Sequence, residues 1–159
     1  MLLYQIGPGT FVPGFLFLVI VYIGELLIHM HEKITCFLID DDDDDQEIFT
    51  LALSNIDGAI NCVTANDGID ALKKLTGDQS FVPDYIFLDL NMVRMNGREC
   101  LAEIKKIQRL QKVPVIIYST SSEPRDISET KQLGASDYIV KPPSMTQLEK
   151  RLEQVLRKN

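Results

Sequence analysis

The chain has 159 residues, 45% apolar and 25% charged, with 16 Lys and Arg against 23 Asp and Glu and a net charge of −7. That composition is globular and sized for one ordinary domain plus a short remainder, and its acidic balance excludes the basic footprint of a nucleic-acid-binding chain. Three cysteines, Cys36, Cys62 and Cys100, are too few and odd in number for a disulfide scaffold, and they sit among apolar neighbours as reduced, buried thiols would.

Charge also divides the chain. Residues 1–24 carry none, Glu25 is the first acid, and every Lys and Arg lies at Lys33 or later. The apolar run Phe15–Ile23, with its flanks, approaches the roughly 20 residues of a bilayer span, but Pro13 and Gly14 break its start and Glu25 interrupts its end. No basic segment precedes the run and no small-residue cleavage site follows it, so it does not read as a signal peptide. Residues 1–30 form an apolar extension with three readings open: a membrane anchor over residues 11–30, an extension from a start misassigned ahead of Met30, or an extra packed helix. A second region over 31–159 follows, and His29 and His31 play no part in its chemistry.

From Lys33 onward, apolar β-rich runs alternate with segments of helical period. Strands are expected at Ile34–Ile39, Ala59–Thr64, Tyr85–Leu88, Pro114–Tyr118 and Tyr138–Val140. The spacing predicts a helix over Asp45–Ser54 with Ile48, Leu51 and Ala52 inward, and one over Gly68–Leu75 with Ile69, Leu72 and Leu75 inward. A third helix is expected over Asn96–Leu110, with Leu101, Ile104 and Ile107 on one face. A fourth runs over Pro124–Leu133, with Ser122 as N-cap and Gly134 as stop, and the last over Ser144–Arg157. Five such pairs imply a parallel sheet covered on both faces.

In such a sheet the functional site lies beyond the C-terminal strand ends. Asp40 and Asp41 follow the first strand, Asp89 the third, Ser119 the fourth and Lys141 the fifth. Clustered carboxylates repel one another, and a hard cation such as Mg²⁺, held by carboxylates and phosphate oxygens, relieves the repulsion. The Ser119 hydroxyl and the Lys141 ammonium both suit an anion beside that metal. A phosphoryl group carried on one carboxylate satisfies all of these groups together.

The strongest motifs are Phe37-Leu-Ile-Asp-Asp41, the stretch from Phe87 to Gly97 around Asp89, Ser119-Thr120 and Lys141-Pro142. Ala65-Asn-Asp-Gly68 and Gly134-Ala-Ser-Asp-Tyr138 support them. With intervals of 30 residues from Asp89 to Ser119 and 22 from Ser119 to Lys141, the chain from about Ile34 to Lys158 resembles the receiver domain of two-component response regulators, of the stand-alone, chemotaxis-regulator-like kind. The resemblance implies a flavodoxin-like doubly wound α/β fold, (βα)5, with strand order 2-1-3-4-5. It implies Asp89 as phosphoacceptor, and Asp41, Asp89 and the backbone carbonyl of Asn91 as Mg²⁺ ligands, with Asp40 holding metal-bound water. Ser119 takes the place of the switch hydroxyl, Lys141 of the phosphoryl-pairing lysine and Tyr138 of the aromatic switch residue. Lys141–Pro142 takes the place of a cis peptide bond. Two departures stand out. Val93 replaces a usual proline, and six aspartates run together, of which Asp42–Asp45 read as a solvated loop and helix N-terminus.

The expected function is a phosphorylation-activated switch rather than a turnover enzyme. The partners implied are a histidine kinase or histidine phosphotransfer protein upstream and an output protein on the Pro124–Leu156 face, with no nucleic acid, in the cytoplasm unless residues 11–30 anchor the chain. The sequence ends soon after the last helix, which leads to the expectation of a receiver without its own output domain. A homodimer stays open. The rival readings are a phosphorelay intermediate and a phosphorylation-independent interaction module with the same fold. A flavin site is disfavoured, because no Ser/Thr/Gly-rich phosphate loop follows the first strand.

Overall fold

A computed structural model of the chain describes residues 3–14, 16–19, 21–22 and 34–157, in two units that divide after Lys33. In the first unit β1 (Leu3–Gly7) and β2 (Thr10–Pro13) pair antiparallel, where the sequence pattern indicated no strand. Pro8 and Gly9, the latter at φ +81°, reverse the chain between them, so Thr10–Pro13 is drawn into a hairpin instead of opening the apolar run. Among the described residues no helix is long and apolar enough to cross a membrane. Residues 15, 20 and 23–30 of the expected anchor, and with them the boundary near Met30, lie outside the described residues, as do His29 and His31.

The second unit alternates strand and helix: β3 (Thr35–Ile39), α1 (Asp43–Ile56), β4 (Asn61–Ala65), α2 (Gly68–Gly77), β5 (Tyr85–Leu88), α3 (Gly97–Lys106), β6 (Val115–Ser119), α4 (Pro124–Gln132), β7 (Asp137–Val140) and α5 (Met145–Leu156). All five strands are parallel, in the order β4-β3-β5-β6-β7. Counted within this sheet that is 2-1-3-4-5, a flavodoxin-like doubly wound fold. The chain reverses direction across the sheet between β3 and β5, and the crevice that this opens lies at their C-terminal ends.

Strand alternation sorts the core into two layers. Cys36, Leu38, Tyr85, Phe87, Ile116 and Tyr118 face α1 and α5, meeting Phe49, Leu53, Leu148 and Leu152. Phe37, Ile39, Ile86, Leu88, Val115 and Ile117 face α2 and α3, meeting Leu75, Leu101 and Ile104. Because both faces are covered, the strands read as unbroken apolar runs.

Several local expectations shift. In α1 it is Phe49, Ala52 and Leu53 that are buried, while Ile48 and Leu51 are exposed. The Phe49 ring lies 4.8 Å from that of Phe87 and 5.1 Å from that of Tyr118, and burying the largest apolar side chain sets the phase of the helix. Ile69 in α2 is likewise exposed, with Ala71 and Leu75 inward. The third helix stops at Lys106, and a 3-10 turn at Gln108–Leu110 takes up the rest of its expected span. Ser122 does not cap α4. Glu123 occupies that position without a side-chain bond, and Pro124, whose missing N–H costs nothing at a helix start, begins the helix. Gly134 ends it as expected, at φ +96°. All three cysteines are free, and burial pushes the Cys36 and Cys100 thiols up to about 12.

Candidate functional site

Register brings the acids together. Ile39 pairs with Leu88, and the Asp89 N–H donates to the Ile39 carbonyl at 2.9 Å. The residues that leave the two strands, Asp40 and Asp89, therefore emerge side by side, both buried. Asp40, Asp41 and Asp89 each present a carboxylate oxygen within 4.8 Å of the others. That donor set of hard oxygens, spaced for one coordination sphere, fits a small divalent cation such as Mg²⁺.

Two strands away, Ser119 pairs with Val140, and the Lys141 N–H donates to the Ser119 carbonyl at 2.8 Å. Lys141 thus starts at the strand edge and runs back across the sheet. Its Nζ lies 2.7 Å from Asp40, 2.7 Å from Asp45 and 3.2 Å from Asp89, and 5.2 Å from the centre of the Tyr118 ring. Burial works against this ammonium, but the hydrogen bonds to Asp40 and Asp45 outweigh it and hold it above the ordinary lysine range. Burial pushes the Asp40 carboxyl up to about 6, against the lowering effect of Lys141. No cis bond accompanies this geometry among the described residues. The expected cis Lys141–Pro142 is trans, the isomer an X–Pro amide prefers by about 0.5–1 kcal/mol, and the trans bond still lets the ammonium reach its carboxylates.

The loop after Asp89 closes over the site. The Asn91 N–H donates to Asp89 Oδ1 at 3.2 Å, and Asn91 Nδ2 reaches Ser119 Oγ at 3.5 Å and Thr120 Oγ1 at 3.4 Å. Val93 is 92% exposed, yet its N–H donates to Asp41 Oδ2 at 2.9 Å, a bond that a proline there could not make. Gly97 brings the loop back: a Cβ on it would stand 2.1 Å from the Asp89 carbonyl oxygen, so the close approach requires glycine. Ser119 is fully buried. Tyr138 is half-buried one step further out, its hydroxyl donating to the Ser121 carbonyl at 2.9 Å.

Sequence reasoning missed the contact of Asp45 with Lys141 and a bridge between two helices. Asp42 caps α1 by accepting from the N–H groups of Asp44 and Asp45, as a helix N-terminus favours. The helix therefore starts at Asp43, earlier than expected, and Asp45 turns toward Lys141 instead of joining the solvated acids. The second is a bridge from α3 to α4. The Arg98 guanidinium pairs with Asp126 and, at 3.1 Å, with Glu129, and Ser121 Oγ donates to Asp126 at 2.5 Å. No local pattern marks the second, since it joins residues far apart in the chain. A full first turn of acids after the cap was the only available signal for Asp45.

The family model for the response regulator receiver domain matches residues 36–153. The probable C4-dicarboxylate response regulator DctR of Bacillus subtilis is 35% identical over 116 residues, covering 73% of this chain and 49% of that protein. The alkaline phosphatase synthesis transcriptional regulatory protein PhoP, also of Bacillus subtilis, is 31% identical over 74% of this chain and 47% of its own length. The chain thus spans about half the length of these curated relatives. Among solved structures, the phosphorylated cyanobacterial phytochrome response regulator RcpA superposes with a TM-score of 0.69 at 34% identity, covering 76% of this chain and 89% of that one. The Mn²⁺-bound form of response regulator Rcp1 superposes with a TM-score of 0.67 at 28% identity, covering 78% and 92%.

Proposed function

The chain belongs to the response regulator receiver domain family of two-component systems, and from that premise we propose that it accepts a phosphoryl group on Asp89 and signals through altered partner binding. One observation carries the reading: Asp89 stands within one coordination sphere of Asp40 and Asp41 and 3.2 Å from the Lys141 ammonium, so a nucleophilic carboxylate, cation ligands and an anion-pairing charge share one crevice.

In the proposed transfer an Asp89 carboxylate oxygen bonds to the phosphorus of a phosphohistidine. The P–N bond breaks, and the departing imidazole keeps the electron pair. The donor is a histidine kinase or a histidine phosphotransfer protein. Asp41, Asp89 and the Asn91 carbonyl, with Asp40 behind a water, would hold Mg²⁺, which supplies positive charge against the phosphoryl oxygens when bound. Lys141 pairs with one phosphoryl oxygen. The Ser119 hydroxyl donates to another, and Tyr138 follows it inward from its bond to Ser121. These contacts exist only in the phosphorylated state, and that difference shifts a two-state equilibrium read by an output protein on the Pro124–Leu156 face. The domain is a phosphoacceptor rather than a turnover enzyme and acts in the cytoplasm, free or anchored through residues 11–30.

The test is intact-mass spectrometry of the full chain incubated with acetyl phosphate, with and without Mg²⁺. One added phosphoryl group that requires Mg²⁺ and disappears in Asp89→Asn is the expected result. A folded protein that binds Mg²⁺ yet takes up no phosphoryl group from acetyl phosphate or from a phosphorylated histidine phosphotransfer protein would refute the reading in favour of a phosphorylation-independent interaction module.

A further inference from the structure

Asp45 is the one acid at the site that the proposed chemistry leaves without a task. Its Oδ2 lies 2.7 Å from Lys141 Nζ, as near as Asp40 and nearer than Asp89 at 3.2 Å. An ammonium has three protons, and these three carboxylates accept all of them. A phosphoryl oxygen arriving at Lys141 must therefore displace a partner. Asp40 is anchored at a strand end, with its side chain 0% exposed, and it also accepts from the Asp42 N–H. Asp89 is the acceptor itself. Asp45 sits on the first turn of α1 with its side chain 30% exposed, so it turns to water at the lowest desolvation cost.

We propose that Asp45 is a positioning residue, an internal counter-anion that occupies Lys141 in the unphosphorylated protein and gives it up to the phosphoryl group, thereby setting the affinity of the site for that anion. The inference rests on the phosphoacceptor reading of Asp89 and adds to it a competitor within the chain. Asp44 supplies the control. It carries the same charge on the same helical turn, but its side chain is exposed.

The experiment compares the full-length protein with Asp45→Asn and Asp44→Asn by two readouts. The first is acylation of Lys141 by an amine-reactive ester in metal-free buffer, followed by peptide mass mapping. The second is titration with beryllofluoride, a phosphoryl mimic, in the presence of Mg²⁺. Asp45→Asn should speed acylation of Lys141 several-fold and tighten beryllofluoride binding by about tenfold, the size of one charge-assisted hydrogen bond. Asp44→Asn should change either by less than about twofold, since an exposed charge is screened. Unchanged acylation in Asp45→Asn overturns the pairing. Faster acylation without tighter beryllofluoride binding, or equal tightening in both variants, overturns the competition. If no form, wild type included, binds beryllofluoride, the phosphoacceptor reading falls and the competition with it, while the acylation rates still show whether Asp45 holds Lys141.

Discussion

Asp40 should make the metal-free protein less stable as pH rises from 4 to 6, against the usual trend for carboxylates. Burial lifts its folded-state pKa from 3.8 to about 6. Between those values the folded state holds a proton that the unfolded state has lost, so stability falls with rising pH. The contribution is intact below 3.8 and gone above about 6. A shift of roughly two units at about 1.36 kcal/mol each amounts to about 3 kcal/mol, of which about 2 kcal/mol falls between pH 4.5 and 7.5. Asp40→Asn keeps the shape and an acceptor for the Asp42 N–H but cannot ionise. Chemical denaturation in EDTA, at several pH values across that range, gives the difference in unfolding free energy between variant and wild type. That difference should move in favour of the variant by about 2 kcal/mol from pH 4.5 to 7.5. Any pH-independent cost of the substitution cancels from the slope. Saturating Mg²⁺ should flatten the wild-type trend, because a cation favours the ionised carboxylate. Parallel profiles in EDTA, or a difference that moves the other way, would refute the reasoning.

Three further outcomes are expected. Val93→Pro removes the N–H bonded to Asp41; metal-free stability should fall by about 1 kcal/mol, while Mg²⁺ affinity, read by calorimetric titration, should not fall, because Asp41 has lost a competitor. Gly97→Ala drives a Cβ into the Asp89 carbonyl and should cost about 3 kcal/mol or more by denaturant unfolding, with slower uptake of phosphoryl from acetyl phosphate because the acceptor's backbone must move. Phe49→Ala empties the centre of the layer beneath α1 and should cost about 3–5 kcal/mol, whereas Leu51→Ala, exposed on the opposite side of the same helix, should change stability by less than about 0.5 kcal/mol; equal losses would return the helix to the phase its spacing suggested.

The sheet and the core of the site were legible because each is encoded locally. Phe37–Ile39 and Tyr85–Leu88 are apolar without alternation, as strands covered on both faces must be. The first polar residue after each is where the strand leaves the core, which puts Asp40 and Asp89 at one edge, and Lys141 follows the last strand in the same way. What stayed hidden depends on a residue or two of phase, or on distance along the chain. Starting α1 at Asp43 rather than Asp45 decides whether Asp45 faces water or Lys141, 96 residues away, and helix boundaries are uncertain by about that much. Ala52 is buried as expected, but Ile48 and Leu51 fit the helical period as well as Phe49 and Leu53 do; only the rings of Phe87 and Tyr118 choose between them. A pairing such as Arg98 with Asp126 and Glu129 leaves no trace in local composition.

The charge balance of the site gives a reason for these parts to act together in the proposed chemistry. Asp40, Asp45 and Asp89 surround one ammonium, with Asp41 beside Asp40 and Asp89. Converting Asp89 to an acyl phosphate replaces one negative charge with about two, in a crevice already overdrawn in negative charge. Such a group is tolerated only if positive charge arrives with it or is released to it. In the proposed chemistry a divalent cation on Asp41 and Asp89 would do the first, and Lys141 leaving Asp45 would do the second. On that proposal the six-aspartate run serves two opposed ends: its first two members would raise the demand for a cation, and its last would restrain the lysine until an anion competes for it. A site so arranged favours the phosphoryl group and the metal jointly over either alone, the differential interaction that a two-state switch requires.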